Sequence, residues 1–176
     1  AMASEEIAKA VCKRPPQESF AAGLLANIGK MVLDKFVVRE IASIRDLAFD
    51  QGFSHDRAEA EVLGIDHAEA GAILLERWNL PEKIVEVVRF HHRPGLGSEE
   101  NRQLIELVHM AEHATTLLSL GGGNDGTNYE FDQSCAARWG LTDSILETVL
   151  CRTMSRWEET QDFLPVLSGQ EVNHEL

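Results

Sequence analysis

The sequence predicts an all-α fold, a helical bundle, and three observations carry that expectation. Apolar residues recur at spacings of three and four along most of the chain, proline and glycine fall where those periods break, and no stretch alternates with period two. A chain of 176 residues is long enough for one domain burying about 70% of its unfolded surface. Its 44% hydrophobic and 26% charged content is ordinary for a globular protein.

Residues 1–16 form a lead-in, with a short helix over 4–13 that Pro15 and Pro16 break. A second helix is expected from Gln17 to about Val37, with a face of Ala22, Gly23, Ala26 and Gly29. Small side chains let another helix approach closely, so this helix is expected to be central. Ile41, Ile44, Leu47 and Ala48 mark a third helix over 39–51, and His55 to Leu63 is a fourth behind Ser54.

Asp66 followed by Glu69 is a capping-box pattern opening a helix over 66–78, striped by Gly71, Leu74, Leu75 and Trp78. Pro81 suits the first turn of the next helix, 81–92, which carries Ile84, Val85 and Val88 before His91, His92 and Pro94. His67 thus opens one helix and the His91-His92 pair closes the next, which could bring three imidazoles into one pocket. After a loop, a long helix over 99–120 carries Leu104, Leu107, Val108 and Ala111. Residues 121–130 read as a Gly-rich linker and 131–167 as C-terminal helices packing on the core, with a frayed tail at 168–176. Leu24, Ile28, Leu74, Trp78, Val88 and Val108 are the expected core.

A net charge of −13 disfavours nucleic acid or an anionic membrane as a partner. Cys12, Cys135 and Cys151 are odd in number and widely spaced, which argues against a disulfide framework or structural zinc site and suits a reducing cytoplasm. No apolar run reaches the roughly 18 residues of a membrane span, and residues 1–4 lack the apolar core of a signal peptide.

Two separated motifs carry a family resemblance. The stretch from Leu63 to Pro94, with Asp66-His67-Ala68-Glu69-Ala70-Gly71 and Trp78-Asn79-Leu80-Pro81, follows Gly23-Leu24-Leu25-Ala26-Asn27-Ile28-Gly29-Lys30 in the right order. Together they resemble the HDOD domain, the signal-output branch of the HD phosphohydrolase superfamily, over roughly residues 17 to 120. Such domains carry a further helical half before the Gly-Leu-Leu helix. The resemblance therefore implies that this chain is the C-terminal half of one, or a form that has lost the first half, built as a bundle of the HD-domain type.

In catalytic members, the resemblance implies, histidines and aspartates hold divalent metals that activate water against a phosphoester. The His-Asp dyad would fall at Ala26 and Asn27, where alanine offers no lone pair and asparagine only a neutral carbonyl. No histidine precedes it to act as the first ligand. His67, His91 and His92 match later family histidines, Glu112 stands where an aspartate is usual, and Lys30 matches a lysine able to contact phosphate oxygens. No catalytic residue and no bound cofactor are expected. If a weakly held divalent metal binds, its ligands are His67, His91, His92 and Glu112.

Plainer roles exist for each. His67 can hydrogen-bond nearby backbone, Glu112 can be a solvated helix residue, and Lys30 can favour a helix end. His91 and His92 would lie about 100° apart on a helix, poorly placed to share one ion. His109 and His113 with Glu112 also spell H-x-x-E-H, the inverted zincin pattern, but no third ligand is in view. The expected function is a non-catalytic signalling or scaffold module with a degenerate metal site, working through protein partners. The alternative is a metal-dependent phosphohydrolase acting on nucleotides or cyclic dinucleotides. The small-residue face, left bare by a missing half, leads to an expectation of self-association.

Overall fold

The computed structural model describes residues 1–34, 39–118 and 130–167, and every regular element in them is helical. In order these are α1 (Met2–Val11), α2 (Ser19–Leu25), α3 (Ile28–Leu33), α4 (Ile41–Asp50), α5 (His55–Leu63), α6 (His67–Arg77) and α7 (Glu82–Phe90). A single 3₁₀ turn, Pro94–Leu96, leads to α8 (Arg102–Leu117), α9 (Gln133–Trp139) and α10 (Asp143–Leu167). The expected linker at 121–130 lies outside the described residues except for Glu130, and the expected tail at 168–176 lies wholly outside them.

The helix expected over 17–37 is two helices. Asn27 leaves helical geometry at φ −99° and ψ 17°, and α3 restarts behind it. Periodicity misses this break because Ala26 and Asn27 carry none of the proline or glycine signals that end helices. Beyond it, Gly29 lies so close to α6 that a Cβ there would collide with the carbonyl oxygen of His67. Gly71 meets the same crossing from the other side, where an added Cβ would lie 3.0 Å from the amide nitrogen of Gly29. Two glycines thus let α3 and α6 touch backbone to backbone.

This contact also corrects the expected core. Ala68, Ala72 and Leu75 form the buried stripe of α6, while Trp78 is 58% exposed and Leu74 only half-buried. Leu24 is 63% exposed, and α2 turns Ala22 inward instead. Small residues line the close helix crossings, so the large side chains at 24 and 78 fall on the rim. Val88 and Val108 lie in the core with Ile84, Leu104 and Ile105, and Ile28 is partly buried against them.

The small-residue face is covered by the chain itself. A Cβ at Gly23 would collide with the Ser4 hydroxyl of α1, and α6 covers Gly29. The bare surface that motivated self-association therefore does not exist at these positions. Helix α1 is an integral layer, burying Ala3, Ile7 and Ala8 in a second cluster with Leu107, Met110 and Val149. Glu6 of α1 is 5% exposed and bonds Arg156 Nη1 of α10 at 2.7 Å. Glu106 of α8 likewise takes Arg138 Nη1 at 2.5 Å and Trp139 Nε1 at 2.7 Å, which fastens α9. No helix among the described residues is long and apolar enough to cross a membrane.

Candidate functional site

Asp66 starts α6 in extended backbone and accepts the Glu69 amide at 2.7 Å, the cap expected from the sequence. That cap places His67 in the first turn, fully buried, facing the far end of α7. Helix α7 ends at Phe90, so His91 is its cap residue and His92 lies beyond the helix. The expected separation of 100° therefore does not hold, and the two rings converge with centroids 4.0 Å apart. Ligand-capable atoms of His67, His91 and His92 all lie within 4.8 Å of one another.

The contacts within this cluster are specific. His67 Nε2 and His92 Nε2 are 2.8 Å apart, and His92 Nδ1 lies 3.2 Å from Glu112 Oε2. His91 Nδ1 donates to the Val88 carbonyl at 2.7 Å, which leaves its Nε2 aimed inward, 3.8 Å from Glu112. The Asn27 amide nitrogen donates to Glu112 Oε1 at 3.3 Å. Glu112, with a side chain 12% exposed, is no solvated surface residue. Four sequence-expected residues, His67, His91, His92 and Glu112, meet in one place with Asn27 at the edge. Lys30 is near enough for its charge to act on both His91 and His92. Ala26 packs in the apolar core at 3% exposure and brings no polar atom.

Burial holds the His91 imidazole below its ordinary range, against the pull of Glu112, with the charges of His67 and Lys30 acting the same way as burial. His92 is pushed down further, by burial first and then by His91, His67 and Lys30. Both rings are therefore neutral near pH 7 and present lone pairs. His91 Nε2 and Asn27 Oδ1 are buried with no hydrogen-bond partner. Orphaned acceptors of this kind fit a cation, and three imidazoles with one carboxylate suit a single ion of borderline softness. They do not fit a pair of metals bridged by carboxylates, because Ala26 and Asn27 supply no charge.

Sequence reasoning missed Glu59. From α5 its Oε2 accepts His67 Nδ1 at 2.5 Å and the His67 amide at 2.8 Å, and its Oε1 lies 3.3 Å from His55 Nε2. Burial raises its pKa, but bonds from His55 and His67 more than offset that and bring it to about 2. The four-residue spacing of His55 and Glu59 was the available signal. An open cavity of about 300 Å³ lies between α5 and the segment after α7, lined by Asp56, Arg57, Asp66, His92 and Arg93. Arg93 is tied to Asp66 at 2.6 Å.

The H-x-x-E-H pattern on α8 makes no site of its own. His109 Nδ1 donates to the His91 carbonyl at 2.7 Å and its Nε2 accepts the Asp132 amide at 3.0 Å. His113 instead stacks on Phe131, with centroids 4.1 Å apart. Glu112 points the other way, into the imidazole cluster.

An all-α bundle with a buried His-rich pocket at a helix-cap corner resembles a degenerate HD metal site. The HDOD domain model matches residues 1–94, and the chain belongs to the HDOD family. That match overturns the expectation that the chain is the C-terminal half of such a domain. It covers the N-terminal half of this chain, beginning with α1, whose buried face makes it part of the bundle and no mere lead-in.

An uncharacterised protein of Treponema pallidum (strain Nichols) is 31% identical over 94 residues, 53% of this chain and 18% of that protein. Two crystal structures share the fold. An HDOD domain protein of unknown function from Geobacter sulfurreducens is 23% identical with a TM-score of 0.64, over 88% of this chain and 50% of that one. A candidate signal transduction protein from Marinobacter aquaeolei VT8 is 19% identical with a TM-score of 0.68, over 96% and 39%. The chain thus spans at most half the length of each of these relatives.

Proposed function

We propose that this chain is a non-catalytic signal-transduction or scaffold module, working in the cytoplasm through protein partners. Ala26, Asn27, Lys30, His67, His91, His92 and Glu112 are on this reading the remains of an HD metal site. One observation carries it: Glu112 is the carboxylate that reaches His91 and His92, while Asn27 meets it with a neutral amide. Phosphoester hydrolysis at a metal needs a bound water held and deprotonated beside a charge-balanced ion. Here the pocket is suited to a single ion, held by neutral nitrogens and the Glu112 carboxylate, and among the described residues no second carboxylate joins Glu112 against His91 and His92. Such a pocket serves as a ligand-binding or structural corner, and the helices after residue 130 form an appendage that seals the bundle beside it. The Marinobacter protein that shares the fold, described as a candidate signal transduction protein, agrees with this class.

The competing class is a phosphohydrolase, favoured by the imidazole cluster itself and by the fold shared with a candidate phosphohydrolase from Shewanella amazonensis SB2B. Assay of the purified chain against phosphomonoesters and cyclic dinucleotides, with magnesium, manganese, iron or zinc, separates the two. Background rates are expected throughout. Metal-dependent turnover abolished by His67→Ala would establish the enzyme and end the proposal.

A further inference from the structure

We propose that Glu59 is the positioning residue of the pocket, setting the tautomer of His67 so that its Nε2 lone pair faces inward to receive a divalent cation. The inference rests on the reading of the pocket as a ligand site. Glu59 is on α5, outside every motif that marks the cluster, yet it makes the closest side-chain contact that His67 has. Its Oε2 is shared by the ring Nδ1 at 2.5 Å and the backbone amide at 2.8 Å of the same residue. The oxygen that accepts the His67 amide is an acceptor for the ring as well, so the proton between them belongs to His67 Nδ1. With Nδ1 protonated, the other nitrogen of the neutral ring must be a lone pair, and that nitrogen faces His92 Nε2 at 2.8 Å.

The same bond fixes the ring plane, because Glu59 is itself held. It is 5% exposed, its second oxygen faces His55 Nε2 at 3.3 Å, and both belong to α5 one turn apart. A chain from His55 through Glu59 to His67 therefore runs from α5 into the pocket. Carboxylate to imidazole to metal is the usual outer arrangement of metal-binding histidines, where the outer carboxylate fixes orientation and raises ligand basicity. The class of ligand follows from the lone pair: a divalent cation of borderline softness, not a hydrogen-bond acceptor.

Long-range ¹H–¹⁵N spectra of the histidine rings of the full chain, recorded without metal, test the positioning role. Wild-type His67 is expected as the Nδ1–H form. Glu59→Met should convert it to a mixture or to the Nε2–H form, while Glu59→Gln should retain it because the amide oxygen still accepts. Titration with Zn²⁺ alone should show affinity lower by about 10- to 100-fold in Glu59→Met, with Glu59→Gln between that and wild type. An Nε2–H form of His67 in the wild type, or an unchanged tautomer in a folded Glu59→Met chain, overturns the proposal. If Glu59→Met does not fold, Zn²⁺ affinity of Glu59→Gln equal to wild type overturns it instead. A wild-type chain with the Nδ1–H tautomer that takes no Zn²⁺ overturns the cation reading and upholds the positioning role.

Discussion

His67 Nε2 and His92 Nε2 face each other at 2.8 Å, so a single proton lies between two buried imidazoles that belong to different helix ends. His92 Nδ1 then faces the Glu112 carboxylate at 3.2 Å, and a neutral His92 cannot donate in both directions. The corner is therefore one positive charge short of full satisfaction.

Acid should weaken the fold in two stages. His91 and His92 are held below 6.5, so between their folded values and 6.5 the unfolded chain binds more protons than the folded one. Their contribution is complete above about pH 6.5 and is lost as pH falls. Glu59, at about 2 against 4.5, adds stability that is complete above 4.5 and lost as pH falls towards 2. Urea midpoints should fall from about pH 7.5 to about pH 5.5 and again below about pH 4.5. A flat or rising midpoint over the first interval would contradict the buried, neutral imidazoles.

The crossing of α3 and α6 has no room for a methyl group. Gly29→Ala would drive a Cβ into backbone atoms of His67 and Gly71, neither of which can rotate away. Its cost should reach roughly 3 kcal/mol or more, the upper end of overpacking. Trp78→Ala, at an exposed position, should cost less, about 1 kcal/mol. Equal losses for the two variants in chemical denaturation would refute this ordering.

Cysteine chemistry should follow burial. Cys135 is 1% exposed and its thiol is pushed up to about 12, by burial first and then by Glu106 and Asp132. Cys151 is exposed. Native labelling at about pH 8 should modify Cys151 promptly and Cys135 only on unfolding. Mass spectrometry showing early modification of Cys135 would disprove the packing of α9 against α8.

Much of this was legible in the sequence because helix period and caps are local. The Asp66 cap, Pro81 and the histidines at two helix ends could be read directly and lead to the imidazole cluster. The rotation of α2 and α6 could not, since Leu24 and Trp78 look like core residues until the glycine crossing is known. The i,i+4 pairing of His55 and Glu59 was a local signal, but the bond from Glu59 to His67 on the next helix was not, because only tertiary contact joins them. The 100° argument failed because it assumed helix through His92, whereas α7 ends at Phe90.

Asn27 offers the sharpest test of the degenerate site. Its amide nitrogen is 3.3 Å from Glu112 Oε1, so Asn27→Asp replaces a donor with a second carboxylate against the first. Without a cation the two charges repel in a buried site, and melting temperature should drop by several degrees, about 1–2 kcal/mol. With Mn²⁺ or Zn²⁺ the same pair becomes a better ligand set, so the metal-induced rise in melting temperature should exceed that of the wild type. Turnover of phosphoesters should remain at background, because the position of the missing histidine is Ala26. That residue is buried in the apolar core, where Ala26→His would overpack its neighbours. If Asn27→Asp alone melts higher than wild type in the absence of metal, the contact between Asn27 and Glu112 is wrong. If it gains metal-dependent hydrolysis, the pocket is one substitution from an enzyme and its reading as a signalling remnant is lost.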